Sequence, residues 1–288
     1  MDQQRQRIAA TFDAVAQTYD QVGVDLFQPI AQSLVEALAP VAGERVLDVG
    51  CGRGAVLLRL AAEVGSTGTA TGLDLSPAMV AASAAEAERA GLSVTVLVGD
   101  AEQPGLPAES FDAVTASLVL FFLPDPAAAL RAWKKLLVDG GRIAVSTFGE
   151  HTPGWHAVDE VFAPYLPPAM RDARTSGRTG PFATDEGVER LLGDAGFTGV
   201  RTAREVLPVR FDSAEHWHRW SMSVGQRAFW QAVPVTELDL VRTRTCAAVE
   251  ATREQNPDGR MGFDQQVRYT LGRLDRSQLP VSHNGPPG

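Results

Sequence analysis

Val46-Leu47-Asp48-Val49-Gly50-Cys51-Gly52-Arg53-Gly54 is the stretch that decides the fold. It reads as a short apolar strand ending beside an acid, followed by a loop with glycine at every second position. A helical run over residues 55–63 comes next. Glycine lets the backbone turn sharply and lets a ligand approach where a Cβ would block it. Such a strand–loop–helix unit seats a nucleotide-like ligand at the carboxyl edge of a parallel sheet. Gly50, Gly52 and Ala55 also fit the G-x-G-x-x-G/A dinucleotide fingerprint. Asp48 points elsewhere, because a carboxylate repels a pyrophosphate and suits an ammonium or sulfonium group.

Working outward, apolar runs recur at 70–75, 94–98, 111–117 and 142–147, each separated by helical or turn sequence. Ser76 followed by Pro77 is a helix start, and Asp125-Pro126 is another. Further strands are predicted over 200–211 and 261–273, with a helix over 184–195 and helical sequence throughout 212–257. Ile8, Phe12, Val15 and Tyr19, then Ile30, Leu34 and Leu38, fall at helical spacing on either side of Gly23. Strands alternating with helices at this rhythm predict an α/β fold with a doubly wound, mostly parallel sheet.

Beyond the glycine loop, the chain carries Gly72-Leu73-Asp74-Leu75-Ser76, Gly99-Asp100-Ala101-Glu102, Phe111-Asp112-Ala113-Val114 and Leu136-Leu137 through Gly140-Gly141-Arg142. In this order and spacing the sequence resembles the class I S-adenosylmethionine-dependent methyltransferases, especially the branch around the ubiquinone/menaquinone C-methyltransferases. The likeness is strongest over residues 40–150. It implies a seven-stranded Rossmann-like sheet whose last strand is antiparallel, with a helical cap. The corresponding layout is an N-terminal lid (1–39), a cofactor-binding core (40–148), a substrate flap (149–182), completion of the sheet (183–211 and 258–274), a cap insertion (212–257) and a flexible tail (275–288).

The resemblance also implies S-adenosylmethionine as cofactor, and each strand end meets one of its handles. Asp48 would take the methionine amine, with Gly50, Cys51 and Gly52 lining its path. Asp74, 20 residues past Gly54, would accept both ribose hydroxyls. Leu75 and Met79 would pack on the adenine, Asp100 would accept from its exocyclic amine, and Ala101 would offer backbone. Ser117 would lie next to the methyl group. Phe12-Asp13-x-x-Ala16-x-x-Tyr19-Asp20 resembles the lid segment of the same branch, which puts Tyr19 over the cofactor.

An acceptor hydroxyl, phenol or carbon must lose a proton, so a base is needed within hydrogen-bond reach. His151, His156, His216 and His218 are the candidates, of which one or two at most would act. Trp155, Trp217, Trp220 and Trp230 fall in the flap and cap, which suggests an aromatic-lined pocket as well as the alternative that they hold the cap together.

The net charge of −9 disfavours a nucleic-acid partner. It is uneven: residues 1–200 hold 14 basic and 25 acidic side chains, and residues 201–288 hold 12 and 10. No Asn/Asp-Pro-Pro-Tyr signature follows the fourth strand, where Ser117-Leu118-Val119-Leu120-Phe121-Phe122-Leu123-Pro124 stands instead. A small-molecule substrate is therefore expected. Two distant cysteines make no disulfide framework or zinc cluster, and no 18-residue apolar run is present. These features lead to the expectation of a cytoplasmic enzyme without membrane partner or metal, with the N-terminal helices and cap available to pair two subunits. Three rival readings remain at this stage: a nicotinamide-dependent oxidoreductase, a protein of the methyltransferase fold that methylates nothing, and a methyltransferase acting on a peptide or protein.

Overall fold

The computed structural model describes residues 3–168 and 180–278. Its centre is a seven-stranded sheet in the order β3-β2-β1-β4-β5-β7-β6. The strands are β1 (Arg45–Val49), β2 (Thr69–Asp74), β3 (Thr95–Val98), β4 (Phe111–Ser117), β5 (Leu137–His151), β6 (Thr198–Phe211) and β7 (Met261–Arg273). β1 to β5 pair in parallel, whereas β7 runs antiparallel to both β5 and β6. Strand order reverses between β1 and β4, and a crevice opens at such a switch point outside the carboxyl ends of the strands.

Side-chain alternation along β1 shows how the sheet is covered on both faces. Val46 belongs to one apolar cluster, with Ile30 and Leu34 of α2 (Phe27–Leu38) and Leu57 and Leu60 of α3 (Leu57–Val64). Leu47 and Val49 belong to the opposite cluster, with Leu130 and Trp133 of α5 (Pro126–Leu136) and Val188 and Leu192 of α7 (Asp185–Asp194). Helix α4 (Pro77–Ala90) follows β2 and packs against β2 and β3, capped by Ser76, whose hydroxyl accepts from the Met79 N–H at 3.1 Å. Gly72 in β2 permits the close approach of α3, since a Cβ there would meet Leu57 at 2.6 Å and Cys51 at 2.8 Å.

Two regions differ from the expected layout. The fifth strand is much longer than residues 142–147, because β7 is long and draws β5 with it as far as the pair His151–Gln265. Helix α1 (Gln3–Val15) ends before Tyr19, which lies in the turn that follows. The 212–257 region is three helices, α8 (Ala214–Ser223), α9 (Arg227–Ala232) and α10 (Leu238–Ala251), inserted between β6 and β7. α10 packs against α8 and against α6 (Pro153–Phe162) of the flap. The expected tail ends in a 3-10 turn at Arg276–Gln278, and its remainder lies outside the described residues, as does the 169–179 part of the flap. Among the described residues, no helix is long and apolar enough to cross a membrane.

Arg268 on β7 ties the flap to the sheet. It is 2% exposed, pairs with Asp185 at 2.7 Å, and donates to the carbonyls of Phe148, Phe182 and Ala183 at 2.8, 2.8 and 3.1 Å. Asp185 has a second partner in Arg204 at 2.5 Å, so loss of Arg268 falls mainly on the three carbonyls it serves, at a cost of about 3 kcal/mol or more in all. Arg268→Ala is expected to lower unfolding free energy by about that amount in denaturant titrations.

Candidate functional site

A cavity of about 1900 Å³ lies over the reversal in strand order. Pockets for one drug-sized ligand span roughly 300–1,000 Å³, so this one has room for two molecules side by side. One half is built from strand ends and the glycine loop. Tyr19, Asp48, Gly50, Cys51, Asp74, Leu75, Asp100, Ala101 and Ser117 all reach its wall. The other half is aromatic, with Phe121, Phe122, Phe148, Trp155, Phe182 and Trp220.

Asp48 is the electrostatic oddity. The register of β1 sets it between Gly72 of β2 and Thr115 of β4, where it is 2% exposed. The Thr115 hydroxyl donates to it at 2.8 Å, and no salt bridge to it is recorded among the described residues. Burial pushes its carboxyl from the ordinary 3.8 up to about 7, against the opposing pull of Thr115. A carboxylate so placed suits an incoming ammonium group.

Asp74 ends β2 with one oxygen accepting from Gly52 N–H at 2.8 Å and the other from Ser76 N–H at 2.9 Å. Burial raises its pKa as well. The carboxylate thus holds the glycine loop in shape and retains lone pairs toward the cavity. Gly50, at φ +67°, supplies the turn, and a Cβ there would run into Val119. Cys51 forms part of the wall with its thiol pKa pushed up by burial, which disfavours the reactive thiolate. The Ala101 carbonyl is taken by the Trp133 indole at 2.7 Å. The Ser117 and Ser146 hydroxyls pair at 2.9 Å. Next to Ser117, Leu118 adopts φ +57°, held by its N–H bonding to the Ser146 carbonyl at 3.0 Å. Strain of this kind concentrates at functional sites, and sequence reading missed it.

Helix α1 closes one side. Arg5 pairs with Asp100 at 3.1 Å and with Glu102, while Asp13 accepts from the Ser76 hydroxyl at 2.5 Å and Ala78 N–H at 3.1 Å. Arg53 of the glycine loop reaches the Ala16 carbonyl and pairs with Glu86 at 2.5 Å. Arg5 carried no signal in the sequence, because only the folded chain sets it beside Asp100.

Several expected residues stand apart from this wall. Gly52 is engaged by Asp74 instead, and Met79 is buried under the lid against Val15 and Ala16. His216 is a correction to the list of bases: its Nε2 meets the Val22 carbonyl of the lid turn at 2.7 Å and its Nδ1 accepts from Asp212 N–H, just before its own helix, at 3.2 Å, so both nitrogens are engaged. His218 packs edge-on to Trp230 at 4.7 Å, off the wall, with its pKa lowered by burial and by Arg242. His156 on α6 is likewise not part of the wall. The side chain of His151 lies outside the described structure. Of the four tryptophans, Trp155 and Trp220 line the cavity, and Trp217 and Trp230 fill the cap interior. Among the described residues, no group of three or more His, Cys, Asp or Glu is placed to hold a metal ion.

Because its folded pKa lies above its unfolded one, Asp48 takes up a proton on folding between pH 3.8 and about 7, and stability falls as pH rises through that window. Asp48→Asn is expected to raise the melting temperature of the ligand-free protein at pH 8, with the gain shrinking toward pH 4, read by calorimetric scans across pH.

Comparison with known proteins agrees with this geometry. A methyltransferase domain family matches residues 47–145. The chain is 36% identical over 277 residues to nocamycin O-methyltransferase of Saccharothrix syringae, covering 91% of this chain and 97% of that one. It is 41% identical over 167 residues to aklanonic acid methyltransferase DauC of Streptomyces sp. strain C5, covering 58% and 76%. The fold resembles that of the YcgJ protein of Bacillus subtilis, with a TM-score of 0.58 at 16% identity, covering 86% of this chain and 99% of that one. The reading as a nicotinamide-dependent oxidoreductase is thereby overturned, in keeping with a carboxylate where a diphosphate would lie. The chain belongs to the class I S-adenosylmethionine-dependent methyltransferases.

Proposed function

We propose that this enzyme methylates an oxygen of a small, largely aromatic metabolite. The observation that carries the reading is the buried Asp48 carboxylate, with no salt bridge among the described residues, on the wall of a two-part cavity whose second half is aromatic. S-Adenosylmethionine, when bound, supplies a methyl group already activated on a sulfonium. Asp48 holds the amine, Asp74 accepts from the ribose hydroxyls, and Leu75 and Asp100 border the adenine. Tyr19, stacked on Phe27 with ring centroids 4.7 Å apart, closes the lid side. The aromatic half excludes water and aligns the acceptor, which for an in-line displacement supplies much of the rate. Oxygen rather than carbon is supported by the Saccharothrix relative, which is an O-methyltransferase. The small substrate also fits the acidic surface, and we place the enzyme in the cytoplasm, as a monomer or a pair joined through lid and cap.

Transfer of radiolabel from the cofactor into low-molecular-weight product tests the reading, and label retained in the cofactor would favour a non-methylating member of the fold. Calorimetric titration with S-adenosylhomocysteine tests the site. Below its pKa of about 7, Asp48 must give up a proton before pairing with the amine. Binding is therefore expected to be about tenfold weaker at pH 6 than at pH 8. Asp74→Ala is expected to weaken binding at least tenfold, by loss of the ribose contacts and of the acceptor for Gly52 N–H.

A further inference from the structure

Past Ser146, which pairs with Ser117 at the end of β4, strand β5 continues to His151 beside β7. This prolonged ribbon carries a polar side chain onto the cavity wall. Gln265 of β7 is 3% exposed and forms part of that wall. Its neighbours on the same strand face, Phe263 and Val267, belong to the apolar cluster that contains Trp155 and Trp220. Trp155 stacks on Phe263 with ring centroids 4.1 Å apart. The Gln265 carboxamide is oriented by the backbone, because its Nε2 donates to the Gln266 carbonyl at 2.8 Å. Turning the amide over would set two oxygens against each other, so the nitrogen is fixed there and the oxygen is the free end. That oxygen has no donor among the described residues, yet it is not one of the polar atoms sealed from solvent. It therefore keeps accessible surface, on a buried side chain that lines the cavity. The Gln226 and Trp220 nitrogens of the same wall differ, since both are sealed.

The place of Gln265 sets what it can reach. Ser117 pairs with Ser146, and Ser146 with Tyr269 of β7. Gln265 stands four residues farther along β7, about 13 Å at the rise of a strand, in the direction that leaves the carboxyl edge of the sheet. We propose that the Gln265 carboxamide oxygen is a specificity-determining acceptor, selecting extended aromatic substrates that carry a hydroxyl or N–H at the end remote from the methylated oxygen. This rests on the methyltransferase reading, since it assigns the aromatic half to the methyl acceptor and sets the methyl group beside Ser117. A ring system lying among Phe148, Trp155 and Phe182 expels water from that half. It must then bring its own N–H or O–H to Gln265 or leave the oxygen unpaired. Sites built to hydrogen-bond a substrate reject analogues that lack the partner group on that ground.

The test compares 4,4′-dihydroxybiphenyl with 4-hydroxy-4′-methylbiphenyl, which share the rings and one hydroxyl and exchange the remote hydroxyl for a methyl group of similar size. Affinities are measured by equilibrium dialysis on the full chain with S-adenosylhomocysteine present. The dihydroxy probe is expected to bind about fivefold tighter or more. That preference is expected to vanish in Gln265→Met and in Gln265→Leu, which remove the acceptor oxygen. Gln266→Met makes the same change on the opposite strand face, where the Gln266 side-chain oxygen accepts from Glu150 N–H at 3.1 Å, and is expected to keep the preference. Unaltered affinity for S-adenosylhomocysteine in each variant shows that the fold is intact. Equal affinity for the two probes in the wild-type chain, a preference that survives both Gln265 variants or is lost in Gln266→Met, or no saturable binding of either probe overturns the proposal. Failure of S-adenosylhomocysteine itself to bind the wild-type chain overturns the methyltransferase site reading instead, so the two failures are told apart.

Discussion

The burial of Asp48 is the constraint on which the rest of this structure turns. A carboxylate in the middle of a sheet is costly unless it is paired, and the protein gives it one hydroxyl, from Thr115. The parallel register of β1 between β2 and β4 leaves it no other position. Where Asp48 is ionised, the fold therefore carries an uncompensated negative charge, and with it a demand for a cation, at the point where the strand order reverses. The surrounding loop follows from that demand. Asp74 fixes the backbone at Gly52 and Ser76, and the positive φ of Gly50 opens space that a side chain would close.

Around this centre, the two halves of the cavity are held by different physics. The strand-end half is polar and organised by hydrogen bonds. The aromatic half is a set of rings brought from the turn after β4, the long β5, the flap and the cap. The ion pairs of Arg5 and the hydrogen bond from Arg53 to the Ala16 carbonyl hold the lid, and Arg268 supports the wall from behind through the carbonyls of Phe148 and Phe182. Loss of Arg53 or Arg268 would loosen the enclosure, whereas loss of Arg5 would also leave Asp100 without its ion pair.

Much of the strand-end half was legible in the sequence because each acid sits at the end of its own apolar run, and parallel strands present their ends at one edge. Asp48, Asp74 and Asp100 needed only strand recognition to be grouped. The histidines were not legible in the same way. His216 and His218 lie in helical sequence whose facing depends on how the cap docks, and docking turned one toward Val22 and the other toward Trp230. Met79 has helical spacing compatible with either an adenine face or a lid contact, and Val15 and Ala16 decided between them.

Alternation of apolar runs with helical periods, punctuated by glycine and helix caps, was enough by itself to determine a parallel α/β sheet and the acidic edge of its crevice, because these are local patterns of period two and 3.6. The tertiary structure alone decided the length of β5, which β7 imposes, the pairing of Arg5 with Asp100, and the placing of Gln265 on the wall. Those contacts join residues tens to hundreds of positions apart, and the packing that brings them together leaves no periodic trace in the sequence.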